Sequence, residues 1–196
     1  NRGLAAAQCG LALAYWEAQG VDRNMAEAQR LMRLAAGQGN PDAQRTLGDW
    51  YATGEGVAQD QAEAIKWYLL AAAQDDVIAQ RYLGQRYESG FGVNQDHYEA
   101  VKWFRSAADL GDAVSQYFLS VAYTSGKGVP QNYVEGLRWL RQAANGGSFV
   151  AQVSLAGAYL YGRAPAEHQD MELAYVYTSL ATANPEKSTA GRESEG

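Results

Sequence analysis

The chain has 196 residues, of which 47% are hydrophobic and five are tryptophan, enough apolar surface to build a core and to exclude wholesale disorder. A net charge of -6 excludes a non-specific grip on a phosphate backbone, which needs a basic face, so no nucleic-acid partner is expected. No run approaches the ~18 consecutive apolar residues of a spanning helix, so no direct membrane insertion is expected.

Taken in chain order, the sequence repeats every 36 residues. Blocks open at Ala7, Ala43, Ala79, Ser115 and Ala151. The second residue of each is Gln (Gln8, Gln44, Gln80, Gln116, Gln152) and the fifth is Leu (Leu11, Leu47, Leu83, Leu119, Leu155). The ninth is Tyr: Tyr15, Tyr51, Tyr87, Tyr123, Tyr159. A fixed period of this length marks a stacked repeat array.

Each block reads as two helices. In the first, the Ala, Leu and Tyr recur at i, i+4 and i+8 and form one apolar stripe. Glycine pairs then reverse the chain: Gly54 and Gly56, Gly90 and Gly92, Gly126 and Gly128. The second helix opens on a capping box, with Asn24, Asp60, Asp96 or Asn132 followed three residues later by Glu27, Glu63, Glu99 or Glu135. Its body carries Trp67, Trp103 or Trp139, expected to be interior, and then an Ala–Ala pair. It stops at Gly39, Gly111 and Gly147; Asp75 takes that slot once and is expected to sit there less comfortably. Helices of about 12 residues are marginal alone, so neighbouring hairpins must stack to bury these rings.

These residues closely resemble the Sel1-like repeat, a relative of the tetratricopeptide repeat. The pattern A-x-x-x-L-G-x-x-Y-x-x-G-x-G-V-x-x-D, then A-x-x-W-Y-x-x-A-A, runs from Ala43 to Ala72. The resemblance extends over roughly Gly3 to Ala183. It departs in the first block, where Ala18 replaces a loop glycine and Leu31 the tryptophan, and more in the fifth, where "GRAPAEHQD" is longer and Tyr177 stands near the Trp slot. It implies an all-α fold: a right-handed superhelical solenoid of about five stacked antiparallel helix pairs, one domain over 1–183, with a polar tail over 184–196. Gly3 falls in register with Gly39, so the chain is expected to open inside the tail of an earlier repeat, as a trimmed or processed product would.

No catalytic constellation emerges. The glycine pairs lack the third Gly of a dinucleotide loop and the strand before it. His97 and His168, the two histidines, fall at unrelated register positions and read as solvated loop residues, so no metal site and no cofactor are expected. Asp75–Asp76 reads as a solvated acidic cap. Cys9, the single cysteine, cannot form an intrachain disulfide and reads as a small, half-buried apolar residue. The Trp and Tyr columns have the helical spacing of a core, not of a stacking platform.

What varies between blocks is the first-helix face opposite the Leu–Tyr stripe, which in Sel1-like and tetratricopeptide arrays lines the concave groove. It reads Arg45, Asp49, Thr53; Arg81, Gln85, Glu88; Tyr117, Val121, Thr124; Val153, Gly157, Leu160. One half is charged and the other apolar. Trp50, Tyr82 and Phe118 are expected at the groove edge as aromatic anchors, and Arg45, Arg81 and Arg86 as positive points for partner carboxylates. The expected partner is another protein, a peptide segment or a folded enzyme. The resemblance implies a non-enzymatic interaction scaffold or adaptor; the alternative it implies is an immunity protein that occludes a secreted toxic enzyme.

Overall fold

The structure, a computed structural model, describes residues 2–160. The "GRAPAEHQD" segment, His168, Tyr177 and the tail over 184–196 lie outside the described residues. The chain divides into two compact units, Asn1–Asp96 and His97–Gly196. Among the described residues the first holds α1 (Arg2–Glu17), α2 (Met25–Gly37), α3 (Pro41–Thr53), α4 (Gln61–Ala72) and α5 (Val77–Ser89). The second holds α6 (His97–Asp109), α7 (Ala113–Ser125), α8 (Tyr133–Asn145) and α9 (Phe149–Leu160). No strand occurs among the described residues.

Local chemistry sets the helix ends. Asn24, Asp60 and Asn132 each accept the backbone N–H of the glutamate three residues on, at 3.0–3.1 Å. At these three caps the reciprocal half of the capping box does not form. The backbone N–H of Asn24, Asp60, Asp96 and Asn132 donates instead to the carbonyl of Tyr15, Tyr51, Tyr87 or Tyr123 at the end of the first helix. The glutamates turn outward to Arg30, Lys66, Lys102 and Arg138 one turn along. A second cap column also closes the first helices: Asn40, Asp76 and Asp112 accept from the N–H groups of Ala43, Ala79 and Ser115 at 2.7–2.8 Å.

The second helices end where a left-handed residue is required. Gly39, Gly111 and Gly147 have φ of 84°, 94° and 89°, and Asp75 is held at 61°. Because a Cβ is strained in that region, Asp75→Gly should stabilise the chain by about 0.5–1 kcal/mol after the added freedom of the unfolded glycine is counted. Urea denaturation reads this directly, and an unchanged or lower midpoint would show that Asp75 carries a compensating contact.

Helices α2 and α3, and α4 and α5, stack in the first unit; α6 and α7, and α8 and α9, stack in the second. The glutamine column explains part of the stacking. The side-chain amides of Gln44, Gln80, Gln116 and Gln152 donate to the carbonyls of Ala36, Ala72, Ala108 and Ala144, at 3.1–3.2 Å. Each glutamine thus adds a second hydrogen bond to a carbonyl near the end of the preceding second helix that already accepts the backbone N–H of Gly39, Asp75, Gly111 or Gly147.

Two expectations about the core are corrected. Trp139 is buried, but Trp67 and Trp103 are only half-buried, and the residues that follow them, Tyr68 and Phe104, are 1% and 2% exposed. One residue is about 100° of helix rotation, which aims the position after the tryptophan into the packing and leaves the indole on the flank. Leu11 and Ala7 are exposed, whereas Leu47, Leu83, Leu119 and Leu155 are fully buried. No helix of the described residues covers that face of α1, so α1 packs on α2 through Ala5, Cys9 and Ala12 instead.

Candidate functional site

In the first unit, α3, α4 and α5 frame a cavity of about 320 Å³ lined by Asp49, Thr53, Tyr68, Tyr82, Gln85 and Arg86. Asp49 Oδ1 accepts the Tyr68 hydroxyl proton at 2.8 Å, and Asp49 Oδ2 faces Arg45 Nη1 at 3.5 Å. Burial raises the Asp49 carboxyl above its ordinary range; the Tyr68 hydrogen bond and Arg45 oppose the rise without cancelling it. Tyr68 is pushed up as well, first by burial and then by the adjoining Asp49 charge. The Asp49 side chain is still 35% exposed, so a hydrogen-bond donor arriving in the cavity can reach its carboxylate.

Arg45 sits among Asp42, Asp49 and Asp76 at 3.4–3.5 Å, distances of ion pairing without tight hydrogen bonds. Burial would lower its pKa, but the three carboxylates outweigh it and hold the guanidinium charged. This cation is already occupied by its own chain, so it positions Asp49 and does not offer the free positive point that was expected. Arg81 lies 5.7 Å from the Tyr82 ring centre, and Arg86 lies 4.8 Å from that of Phe91. Of the expected residues, Asp49, Tyr82, Gln85 and Arg86 share the cavity. Trp50 does not serve at an edge: it is 4% exposed and stacked on Trp16, ring centres 4.3 Å apart.

In the second unit, α7, α8 and α9 frame a cavity of about 310 Å³ with no charged side chain in its lining. Tyr117 and Val121 belong to it, together with Ser120, Thr124, Tyr133 and Leu137. Val121 is 41% exposed. Phe118 is turned inward, stacked on Phe104 with centres 4.6 Å apart and planes at 7°, so it is a packing residue and not an edge anchor.

Sequence reasoning missed the second-helix contributions, Tyr68 in the first cavity and Tyr133, Leu137 and Leu140 in the second. The signal available was the Tyr68–Phe104–Leu140 column, apolar at every repeat and next to the tryptophan. Among the described residues no group of three His, Cys, Asp or Glu side chains could hold a metal ion, and no helix is long and apolar enough to cross a membrane.

The Sel1 repeat model matches residues 5–40, 41–76, 77–112, 113–148 and 150–184. A protective antigen present in uropathogenic Escherichia coli strains is similar in structure, with a TM-score of 0.85 and 34% identity over 92% of this chain; the chain spans 38% of that protein. A Sel1 repeat protein from Oxalobacter formigenes gives a TM-score of 0.83 and 34% identity, covering 92% of this chain and 73% of that one. Cysteine-rich protein B of Helicobacter pylori, at 21% identity and a TM-score of 0.51 over 66% of this chain and 92% of that one, shares the fold. No curated protein matches the sequence significantly.

Proposed function

The chain belongs to the Sel1 repeat family, whose members generally mediate protein–protein interaction on a scaffold without catalysis, and on that premise we propose that it binds a segment of a partner protein on the first-helix faces of its repeats. The observation that carries this reading is the first unit's cavity. It gathers four of the residues that vary between repeats, Asp49, Tyr82, Gln85 and Arg86, and the Asp49 carboxylate, its side chain 35% exposed, is open to further hydrogen-bond donors. A polypeptide offers such donors at every residue, and an extended or helical segment presents them in series. Val121 and Tyr117 give the second unit an apolar counterpart.

The test uses peptides selected on the wild-type chain from a random phage-displayed library. Arg86→Glu and Val121→Asp change groups on the first-helix faces. Lys66→Glu and Lys102→Glu change second-helix groups whose side chains are 69% and 55% exposed and pair with Glu63 and Glu99 one turn back. The first pair should weaken the selected peptides by about tenfold or more, as expected for interface centres, and the second pair by less than about twofold. Greater loss in the lysine variants would place the binding surface on the second helices and overturn the proposal.

A further inference from the structure

The first unit's cavity holds two opposite charges that are not paired with each other. Asp49 enters from α3 and Arg86 from α5, and both line the same space of about 320 Å³. Asp49 gives one oxygen to the Tyr68 hydroxyl and turns the other to Arg45, yet its side chain stays 35% exposed. Arg86 forms no ion pair and no hydrogen bond among the described residues. Its guanidinium rests over the Phe91 ring, 4.8 Å from the centre, a cation–π contact that leaves its N–H donors unused. Burial raises the Asp49 carboxyl, and Arg86 is among the charges that oppose the rise, so the two lie within range of one another.

The fold does not require either charge. Two periods on, the same register positions hold Val121 and Ala158, and α7, α8 and α9 enclose a cavity of about 310 Å³ without them. Phe91 has no aromatic counterpart either: the positions one period before and after it are Glu55 and Lys127. An acceptor, a donor and the ring that holds the donor in place therefore occur together at one place in the array.

Such a pair selects its occupant by charge. A carboxylate that reached Arg86 would bring its charge against Asp49, and an ammonium that reached Asp49 would bring its charge against Arg86. An uncharged amide meets both. Its N–H donates to Asp49, its C=O accepts from Arg86, and it loses less hydration on entry than an ion does. The rings of Tyr68 and Tyr82, edge-on at 5.4 Å between centres, supply an apolar wall for a methylene stem. A main-chain amide carries a Cα on each side, whereas a side-chain carboxamide enters a three-helix recess by its tip.

We propose that this cavity receives the side-chain carboxamide of an asparagine or glutamine of the partner segment, held between Asp49 and Arg86. The source of the amide rests on the function proposed above; the preference for an uncharged amide over either ion does not. The probes are propionamide, propionate and propylammonium, three groups of one length, titrated at neutral pH and equal ionic strength into the full ¹⁵N-labelled chain. Propionamide should shift the amides of Asp49, Gln85 and Arg86 saturably, at a concentration about fivefold or more below that needed by either ion. Removing one charge should reverse the order: propionate leads on Asp49→Asn, and propylammonium leads on Arg86→Met. Phe91 is 49% exposed, so Phe91→Ala should leave the circular dichroism unchanged. It frees Arg86 to pair with Asp49, and should weaken propionamide by about fivefold or more.

Equal binding of the three probes, or an ion that leads on wild type, would overturn the preference for an amide. An order unchanged in both single-charge variants, or no saturable shift at these amides, would overturn the location. Peptides selected on wild type should share an Asn or Gln, and its replacement by Leu or Met should weaken them by about tenfold. If selected peptides bind the first-helix faces but share neither residue, the carboxamide is wrong while the segment-binding function stands. If propionamide leads and no peptide is selected, the function is wrong while the cavity's preference stands.

Discussion

Phe104→Ala should destabilise the second unit by about 3–5 kcal/mol, the cost of emptying a buried aromatic site that cannot collapse. Phe104 is 2% exposed, and its ring is stacked on Phe118, so truncation removes both the transfer of about 200 Å² from water and a preferred aromatic pair. Trp103→Ala, one position earlier, should cost only about half as much, because the indole is half-buried and part of its surface is already wet. The two variants, unfolded in urea and followed by far-ultraviolet circular dichroism, give the ranking. If Trp103→Ala proves the more damaging, the tryptophan column and not the residue after it carries the packing.

The second large effect is expected at Gly128. This residue has φ of 72°, and a Cβ there would fall on the carbonyl oxygen of His97 and 2.5 Å from its carbon. The obstacle is backbone at the first turn of α6, which cannot swing aside as a side chain could. Gly128→Ala should therefore cost about 3–4 kcal/mol, combining left-handed strain with displacement of the loop from α6. Gly147→Ala isolates the first component: φ there is 89°, and nothing lies within 4 Å of the added atom. That variant should lose only about 1–2 kcal/mol. Equal losses in the two proteins would mean that the close approach of the Gly126–Gly128 loop to α6 contributes nothing.

Tyr68 illustrates why the candidate site was harder to read than the repeat. It lines the first cavity from α4, while Asp49 comes from α3 and Arg86 from α5, and nothing in the local pattern of any one helix announces that the three converge. The variable first-helix face did point to Asp49, Tyr82, Gln85 and Arg86, because packing does not constrain it and differences between repeats stand out there. The same rule failed for Trp50, whose ring is claimed by Trp16 thirty-four positions earlier, and for Arg45, whose charge is claimed by Asp42, Asp49 and Asp76.

By itself the sequence determined what depends on near neighbours. The 36-residue period, the all-α class, the caps at Asn24, Asp60 and Asn132 and the left-handed stops at Gly39, Gly111 and Gly147 all follow from hydrogen bonds and dihedral limits within a few residues. Tertiary structure decided which of two adjacent apolar residues enters the core. Trp67 and Tyr68, or Trp103 and Phe104, are equally apolar, and only the position of the facing helix separates them. It also decided that Leu11 stays exposed while its four equivalents are buried, since burial needs a second surface that a local pattern does not contain. The opposed chemistry of the two cavities arose in the same way, because three helices must meet before Tyr82 and Arg86, or Ser154 and Ala158, become the walls of one space.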